Sequence, residues 1–137
     1  MGQVQFIDLS DVIRTDPRGM AFFLFQHRQP PPSETLATFH LVSVAPGETR
    51  GQHYHPAHDE WLYLFAHPGV FIWQDRAGQV QERLIEGDHT MIRIHPGIAH
   101  AVSNPGPGRL YLLAWREPAA DGIDAGQPET VFFSLSS

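Results

Sequence analysis

Residues 47–60 concentrate side chains that bind metal ions. The pair His53 and His55 would direct both imidazoles to one face if the two residues lie on a strand, because side chains along a strand alternate with a period of two. Glu60 follows a short loop that contains Pro56 and opens the next strand-like run, so a hairpin would return its carboxylate to the two imidazoles. The spacing therefore predicts the core of a metal site.

A fourth ligand must come from elsewhere in the chain, and His100 is the best candidate. It follows the Pro96-Gly97 turn and precedes residues 101–104, a run that is typical of a further strand. Two or three imidazoles and a carboxylate suit Zn, Fe, Mn, Ni or Cu without choosing among these metals. A buried unpaired carboxylate costs several kcal/mol and an unsatisfied imidazole about 1–3 kcal/mol, whereas a bound divalent ion returns on the order of 10 kcal/mol. Burial of this set therefore favours a bound metal.

The other histidines and the nearby acidic residue have plainer interpretations. His58 lies in the loop before Glu60 and is expected to be solvated, with a catalytic role as the alternative. Asp59 is expected to be a loop carboxylate that faces water. The histidines interpreted as structural or surface residues are His27, His40, His67, His89 and His95.

Composition narrows the class of function further. The 137 residues include 15 acidic and 9 basic side chains, every basic one an Arg, for a formal net charge of −6. No nucleic-acid or membrane partner is expected, because phosphate contacts need clusters of basic residues. Cys and Lys are missing, which excludes disulfides, thiolate nucleophiles and Schiff-base chemistry. No apolar run reaches the length of a membrane span and the N-terminus does not resemble a signal peptide, so a cytoplasmic protein is expected.

Turn signals recur about every ten residues from the middle of the chain onward, as at Pro46-Gly47 and Pro68-Gly69. This spacing predicts short antiparallel strands and an all-β fold, either a barrel or a sandwich. Residues 79–85 are more polar and are predicted to form an edge or half-exposed strand. Residues 8–13 show weak helical periodicity. The other predicted strands are 36–44, 60–65, 70–74, 91–94 and 110–115.

These residues resemble the first motif of the cupin superfamily. Gly47, His53, His55 and Glu60 match its pattern of Gly, five residues, His-x-His, four residues and Glu. The Gly that should end the motif is displaced, and His67 stands at its expected position. The departure falls in a turn and leaves the ligand positions intact.

The second cupin motif is matched by Gly97, His100 and Asn104, although Gly87 precedes His100 by 13 positions where the motif has 11. The resemblance covers about residues 36–115 and implies the all-β cupin double-stranded β-helix, a jelly-roll barrel. It also implies one divalent metal ion, with Zn as the first choice and Fe, Mn, Ni or Cu as alternatives. The implied metal ligands are His53, His55, Glu60 and His100.

A narrower resemblance indicates sugar chemistry. Residues 16–19 are similar to the Asp-x-Arg-Gly element of dTDP-4-dehydrorhamnose 3,5-epimerase-like proteins, and residues 49–55 are similar to a segment in the cupin domain of capsular-polysaccharide nucleotide-sugar epimerases. The resemblance implies an epimerase or isomerase of a 4-keto nucleotide sugar, which transfers a proton next to a metal-polarised carbonyl. His58 would transfer the proton and Arg50 would hold a diphosphate. Strand parity directs Arg50 away from the metal unless Gly51 forms a bulge.

Two other functions stay open beside the isomerase. Iron on the same four ligands would leave coordination positions for oxygen and a small-molecule substrate, as in a metal-dependent dioxygenase. A non-catalytic cupin that binds a small molecule would use the same site without a reaction. The metal content and oxygen uptake of the protein distinguish these alternatives.

The whole chain, 1–137, is predicted to be a single cupin domain, with a barrel over about 36–115, N-terminal strands or an arm over 1–35 and a C-terminal tail over 116–137. Apolar aromatic residues such as Trp61 and Tyr63 occur beside Glu60 and Leu62 on both parities of a strand. Since a small barrel has one interior, the outward set needs cover, and a homodimer is predicted, with exchange of the N-terminal segment as one way to form it.

Overall fold

Twelve short strands and one helix of a single turn make up most of the described chain. The computed structural model describes residues 4–26, 29, 31–119 and 131–132. No helix in these residues is long and apolar enough to cross a membrane. The elements are β1 (Val4–Asp8), β2 (Ile13–Asp16), β3 (Gly19–Phe22), α1 (Ser33–Leu36), β4 (His40–Val44), β5 (Thr49–Tyr54), β6 (His58–Phe65), β7 (Gly69–Gln74), β8 (Val80–Ile85), β9 (Thr90–Ile94), β10 (His100–Ser103), β11 (Leu110–Pro118) and β12 (Val131–Phe132).

Ten of these strands form two five-stranded sheets. The first sheet has the order β1-β9-β6-β11-β4, and the second has the order β12-β5-β10-β7-β8. β2 and β3 pair as a separate hairpin. Among the described residues all strand pairs are antiparallel, which confirms the all-β prediction made from the spacing of the turns.

The main hydrophobic core lies between the two sheets. Alternate residues of β6 point inward, so Leu62 and Leu64 of the first sheet pack with Phe71 and Val102 of the second. These four side chains are all buried. Full burial of such a side chain contributes about 1.5–3 kcal/mol to stability. Glu60 has the same strand parity as Leu62 and Leu64, which directs its carboxylate into the same interior.

The outer face of the first sheet carries a second apolar cluster, which includes the buried residues Trp61, Tyr63 and Trp115. Residues 9–24 cover this face, with Leu9 and Ile13 buried against the aromatic rings. The aromatic residues on both parities of β6 are therefore covered within one chain. Their burial does not require a second subunit. The homodimer stays a prediction, but the need to cover these aromatic residues no longer argues for it.

Several predicted elements begin or end elsewhere. The strand predicted over 36–44 starts at His40, because residues 33–36 form α1. Of residues 8–13, for which weak helical periodicity is noted, 9–12 form a turn between β1 and β2, in which the Val12 amide donates to the Leu9 carbonyl over 2.9 Å. The polar strand predicted over 79–85 is β8, at an edge of the second sheet, as expected. The tail predicted over 116–137 is described at residues 116–119 and 131–132.

Candidate metal centre

Three strands and a turn bring the four predicted ligands together. His53 lies on β5, and His55 follows the end of that strand. His100 opens β10 and is the cross-strand partner of His53. Glu60 lies on β6, which belongs to the other sheet, so the hairpin predicted between His55 and Glu60 is wrong. The carboxylate meets the imidazoles across the interior of the barrel instead.

One carboxylate oxygen forms the centre of the cluster. Oε1 of Glu60 lies 3.7 Å from His53 Nε2, 3.2 Å from His55 Nε2 and 2.5 Å from His100 Nε2. The four ligand atoms all lie within 4.8 Å of one another. The side chains of His55, Glu60 and His100 are buried, whereas that of His53 is 20% exposed. His53 therefore lies on the side of the cluster that a small molecule reaches.

The orientation of His100 is fixed by its backbone. Its Nδ1 lies 2.9 Å from the Ile98 carbonyl, so a neutral imidazole donates its proton there. The other nitrogen, Nε2, faces Glu60: it donates to that carboxylate when the ring is protonated, and it would present a lone pair to a metal ion when the ring is neutral. Metal-binding histidines commonly have this arrangement, with one ring nitrogen on the metal and the other donating to a carbonyl.

Glu60 supplies a negative charge to the cluster. Burial alone would raise the pKa of this carboxyl group, but the charge and hydrogen bond of His100, together with the nearby imidazoles of His53 and His55, outweigh burial and hold the pKa well below its usual range. The side chain is therefore an ionised carboxylate inside the protein. Three imidazole nitrogens around one ionised oxygen, with few other polar groups nearby, are a donor set that fits a divalent metal ion.

A cavity of about 260 Å³ borders this cluster. Residues from β4, β5, β6, β10 and β11 line it, so both sheets contribute. Its polar residues besides the cluster are His40 and Arg50. The apolar lining consists of Val42, Leu62, Val102, Leu112 and Ala114. The cavity therefore combines the His/Glu cluster with an apolar wall and two further polar side chains.

Arg50 reaches this cavity because β5 contains the bulge that strand parity requires for this orientation. His53 pairs with His100, but Gly51 pairs with Ala101, which leaves Gln52 as the extra residue. Gly51 has φ of 102° and Gln52 has φ of 57°, both in the left-handed region. A Cβ atom on Gly51 would also lie 3.1 Å from the Ala101 Cα, so the position favours glycine.

Among the other candidates, His58 opens β6 with the same strand parity as Glu60, and it does not line the cavity. Its Nδ1 is buried and has no hydrogen-bond partner within the described residues. The prediction of a solvated His58 in a loop is therefore wrong. Asp59 is also buried rather than facing water, because Arg93 binds its Oδ2 through two nitrogens, at 3.1 and 2.6 Å.

His40 is the cavity residue that sequence reasoning missed. The sequence analysis interprets it as a structural or surface residue. In the structure it pairs with Ala114 across β4 and β11 and lines the same cavity as Glu60. Its Nδ1 lies 2.7 Å from the Thr38 carbonyl. The second ring nitrogen, Nε2, is not used in this contact. Only the pairing of β4 with β11 reveals this proximity.

The two facing antiparallel sheets, with a His/Glu cluster between them, are those of a cupin double-stranded β-helix barrel, as the sequence resemblance implied. The chain matches the model of the polysaccharide biosynthesis C-terminal domain over residues 14–130, and it belongs to that family. No curated protein matches the sequence significantly.

Solved structures share the fold at low sequence identity. CapF, the capsular polysaccharide assembling protein of Staphylococcus aureus, is 23% identical, with a TM-score of 0.59 over 71% of this chain. This chain spans 26% of the CapF chain. A mutant of the 3,4-ketoisomerase QdtA from Thermoanaerobacterium thermosaccharolyticum, in complex with TDP-4-keto-6-deoxyglucose, is 12% identical, with a TM-score of 0.65 over 96% of this chain and 88% of QdtA. Oxalate oxidase in complex with the substrate analogue glycolate is 21% identical, with a TM-score of 0.56 over 69% of this chain and 44% of that protein.

Proposed function

We propose that this protein is a metal-dependent isomerase or epimerase of a 4-keto nucleotide sugar, which moves a proton next to the sugar carbonyl. The observation that carries the proposal is the cavity of about 260 Å³, in which the His/Glu cluster and Arg50 line the same space. Pockets for drug-sized ligands usually measure about 300–1,000 Å³. This cavity therefore suits the sugar ring, with the nucleotide outside it.

The cluster would hold the metal, and we propose zinc as the ion. His53, His55, Glu60 and His100 would be its ligands. When bound, the ion would supply a Lewis acid for the carbonyl oxygen of the sugar. The apolar wall excludes water from this region, which strengthens every electrostatic interaction within it.

Two histidines are candidates for the group that moves the proton. The sequence resemblance implies this role for His58, whose buried Nδ1 has no hydrogen-bond partner among the described residues, although the side chain does not line the cavity. His40 lines the cavity itself, and its Nε2 can accept a proton when Nδ1 donates to Thr38. Removal of one acid–base group slows proton transfer by about 10²–10⁴-fold. The two variants His58→Ala and His40→Ala, assayed side by side, identify the residue.

Two solved structures and the family of this chain support the substrate class. QdtA is a 3,4-ketoisomerase that has been crystallised with a TDP-4-keto sugar, and it has the same fold over nearly the whole of both chains. CapF acts in capsular polysaccharide assembly, and the family of this chain is named for polysaccharide biosynthesis. These relatives make a nucleotide-linked keto sugar the first substrate class to test.

Deuterium wash-in, followed by NMR on a panel of dTDP- and UDP-4-keto-6-deoxy sugars, tests the proposal. At least one sugar should take up deuterium at the carbon beside the carbonyl, even where net conversion is small. His58→Ala and His40→Ala should leave the metal content unchanged, since neither residue belongs to the cluster. The proposal fails if no member of the panel takes up deuterium in the presence of fully metal-loaded protein.

An oxygenase is the second candidate, and the donor set favours it. Three histidines and one glutamate bind iron as readily as zinc, and oxalate oxidase shares the fold. Iron in the purified protein, together with oxygen consumption on addition of a small-molecule substrate, would favour the oxygenase. Zinc without oxygen consumption favours the isomerase or a non-catalytic binding protein, and the wash-in experiment separates these two.

We also propose that the protein is a homodimer and is located in the cytoplasm. The outer face of the first sheet is covered by the N-terminal segment, so the dimer would use other surfaces or an exchange of this segment between chains. Light scattering at tens of micromolar protein, on the order of ordinary assay concentrations, tests the dimer. A mass near the 15.4 kDa of one chain would contradict it.

A further inference from the structure

A second cavity lies on the outer face of the first sheet, on the opposite side of β6 from the His/Glu cluster. Side chains alternate along this strand, so Trp61 points outward where Glu60 and Leu62 point inward. The outer cavity has a volume of about 410 Å³ and shares no lining residue with the cavity at the cluster. It is therefore a separate space, bordered by the sheet and by residues 7–12.

The wall of the outer cavity is largely apolar. Leu9, Trp61 and Met91 line it and are buried in the protein. Val12 and Leu24 extend the same wall. Sites for small organic ligands usually combine such a wall with a few polar groups and a volume of about 300–1,000 Å³. The cavity is thus large enough for an aromatic ring or a short alkyl chain with one polar head group.

The charged groups around the outer cavity are unequal in number, since three carboxylates and one guanidinium line it. The guanidinium is that of Arg93, and Asp59 already accepts from two of its nitrogens, at 3.1 and 2.6 Å. In the part of the chain that the structure describes, none of the three carboxylates forms an ion pair. These carboxylates belong to Asp8, Asp11 and Glu117. The cavity therefore has an excess of negative charge.

Glu117 is the carboxylate whose position is fixed. Its Oε1 accepts a hydrogen bond from Nε1 of Trp61 over 2.9 Å, and its Oε2 has no such partner among the described residues. Glu117 is half-buried, so water screens its charge less than the charges of Asp8 and Asp11, which are exposed. Arg14 also donates to the Asp11 backbone carbonyl, which offsets part of the charge at the rim. The strongest attraction for a cation is thus at Glu117.

We propose that the outer cavity binds an organic ammonium ion with an apolar body, and that Glu117 holds the ammonium group. The ammonium donates to Oε2 of Glu117, and a hydrogen bond between two charged groups is stronger than one between neutral groups. The hydrocarbon part lies against Leu9 and Trp61 and is removed from water. An anionic ligand of the same shape would instead be repelled by the three carboxylates. The site is independent of the sugar chemistry, because no residue is common to the two cavities.

Calorimetric titration of the metal-loaded protein with 2-phenylethylammonium tests the site, with 3-phenylpropionate as the ligand of similar shape and opposite charge. The wild type should bind the ammonium and not the carboxylate. Methylammonium, which lacks the ring, should bind about tenfold more weakly or less. This comparison of ligands uses the wild type alone, so it tests the proposal even where a variant does not fold.

Glu117→Gln keeps the length of the side chain and removes its charge. The affinity for 2-phenylethylammonium should fall by about tenfold or more, the effect of losing one charged hydrogen bond. Glu82→Gln removes the same charge from the exposed edge strand β8 and should bind as the wild type does. Val12→Phe places a ring in the cavity and should abolish binding. Circular dichroism should be the same in all variants.

Glu60→Gln excludes binding at the other cavity, which is necessary because a free amine can also be a metal ligand. It should leave the affinity for 2-phenylethylammonium unchanged. Loss of binding in Glu60→Gln with full binding in Glu117→Gln would place the amine at the His/Glu cluster and overturn the inference. Equal affinity of the wild type and Glu117→Gln overturns it too, as does a wild type that binds no 2-phenylethylammonium or binds 3-phenylpropionate as tightly. Binding that depends on Glu117 supports the inference whether or not the protein exchanges deuterium into a sugar.

Discussion

Oε1 of Glu60 lies 2.5 Å from Nε2 of His100, although the two residues belong to opposite sheets and are 40 positions apart in the chain. The contact joins the two halves of the barrel at the cluster. The residues that would bind a metal are therefore also residues that hold the sheets together. A ligand for this cluster should affect stability as well as activity.

Glu60→Gln should reduce the metal content well below one ion per chain. The substitution keeps the size of the side chain and removes the charge at the centre of the cluster. Loss of an ion present at 100–1,000 times its Kd lowers stability by about 2.7–4.1 kcal/mol. Elemental analysis and thermal unfolding with and without a chelator measure both effects.

His89→Ala is the control for this experiment, because His89 is exposed and pairs with Asp88 away from the cluster. It should retain its metal and its melting temperature. A double variant, His53→Ala with His100→Ala, that still holds one metal ion per chain would contradict the proposed ligand set.

Gly51→Ala should destabilise the protein more than Gly78→Ala. Both residues have positive φ, 102° and 87°, so both substitutions carry backbone strain of about 1 kcal/mol. A Cβ atom at Gly51 would lie 3.1 Å from the Ala101 Cα and the His100 carbonyl, whereas one at Gly78 meets nothing within 4 Å. The difference in urea midpoint measures the packing of the bulge. Equal midpoints would contradict the close approach of β5 and β10.

Asn104→Ala should cost about 3 kcal/mol or more, because the buried amide makes three hydrogen bonds to the backbone and their partners would stay partly unsatisfied. Gln81→Ala removes an exposed amide that binds Asp75, and it should change stability by less than about 0.5 kcal/mol. Urea unfolding of both variants provides the comparison. A cost for Asn104→Ala as small as that for Gln81→Ala would show that the corner at Gly108 is not held by this side chain.

Tyr63 should make stability fall at alkaline pH. Burial and then the charge of Asp88 raise the pKa of Tyr63 to about 12 from an ordinary value of 10.0. The unfolded chain loses this proton first, so its stabilising contribution is present below pH 10.0 and is lost as the pH rises towards about 12. Tyr63→Phe should flatten this part of the pH dependence in urea unfolding at pH 9 and 11.5. An unchanged slope would contradict the assignment.

The sequence was sufficient to predict the fold class and the membership of the cluster. The His-x-His pair followed by Glu60 and the turn before His100 pointed to side chains that the structure brings within 4.8 Å. The reason is local, because strand parity fixes the direction of His53 and the second motif fixes the place of His100 beside it. The prediction that a hairpin joins His55 to Glu60 is wrong. The cluster nevertheless forms, since the Glu60 carboxylate enters the same interior from the opposite sheet.

The remaining parts of the site depend on pairings that no local pattern encodes. His40 reaches the cavity only because β4 pairs with β11. The bulge at Gly51 was recognised as a condition, but strand parity alone could not decide whether it forms. The burial of Asp59 depends on Arg93, which is 34 positions away. The cover of the outer face by residues 9–24 likewise arises only in the folded chain.

Deuterium wash-in into a TDP- or UDP-4-keto-6-deoxy sugar, measured on the same protein before chelation, after chelation and after return of the metal, tests the central claim most directly. We expect exchange at the carbon beside the carbonyl, its loss on chelation and its recovery with one ion per chain. Glu60→Gln should behave as the chelated protein does, even after the metal is added back. Exchange that persists at full rate in the chelated protein and in Glu60→Gln would contradict the claim that the His/Glu cluster acts through a metal ion on a keto sugar.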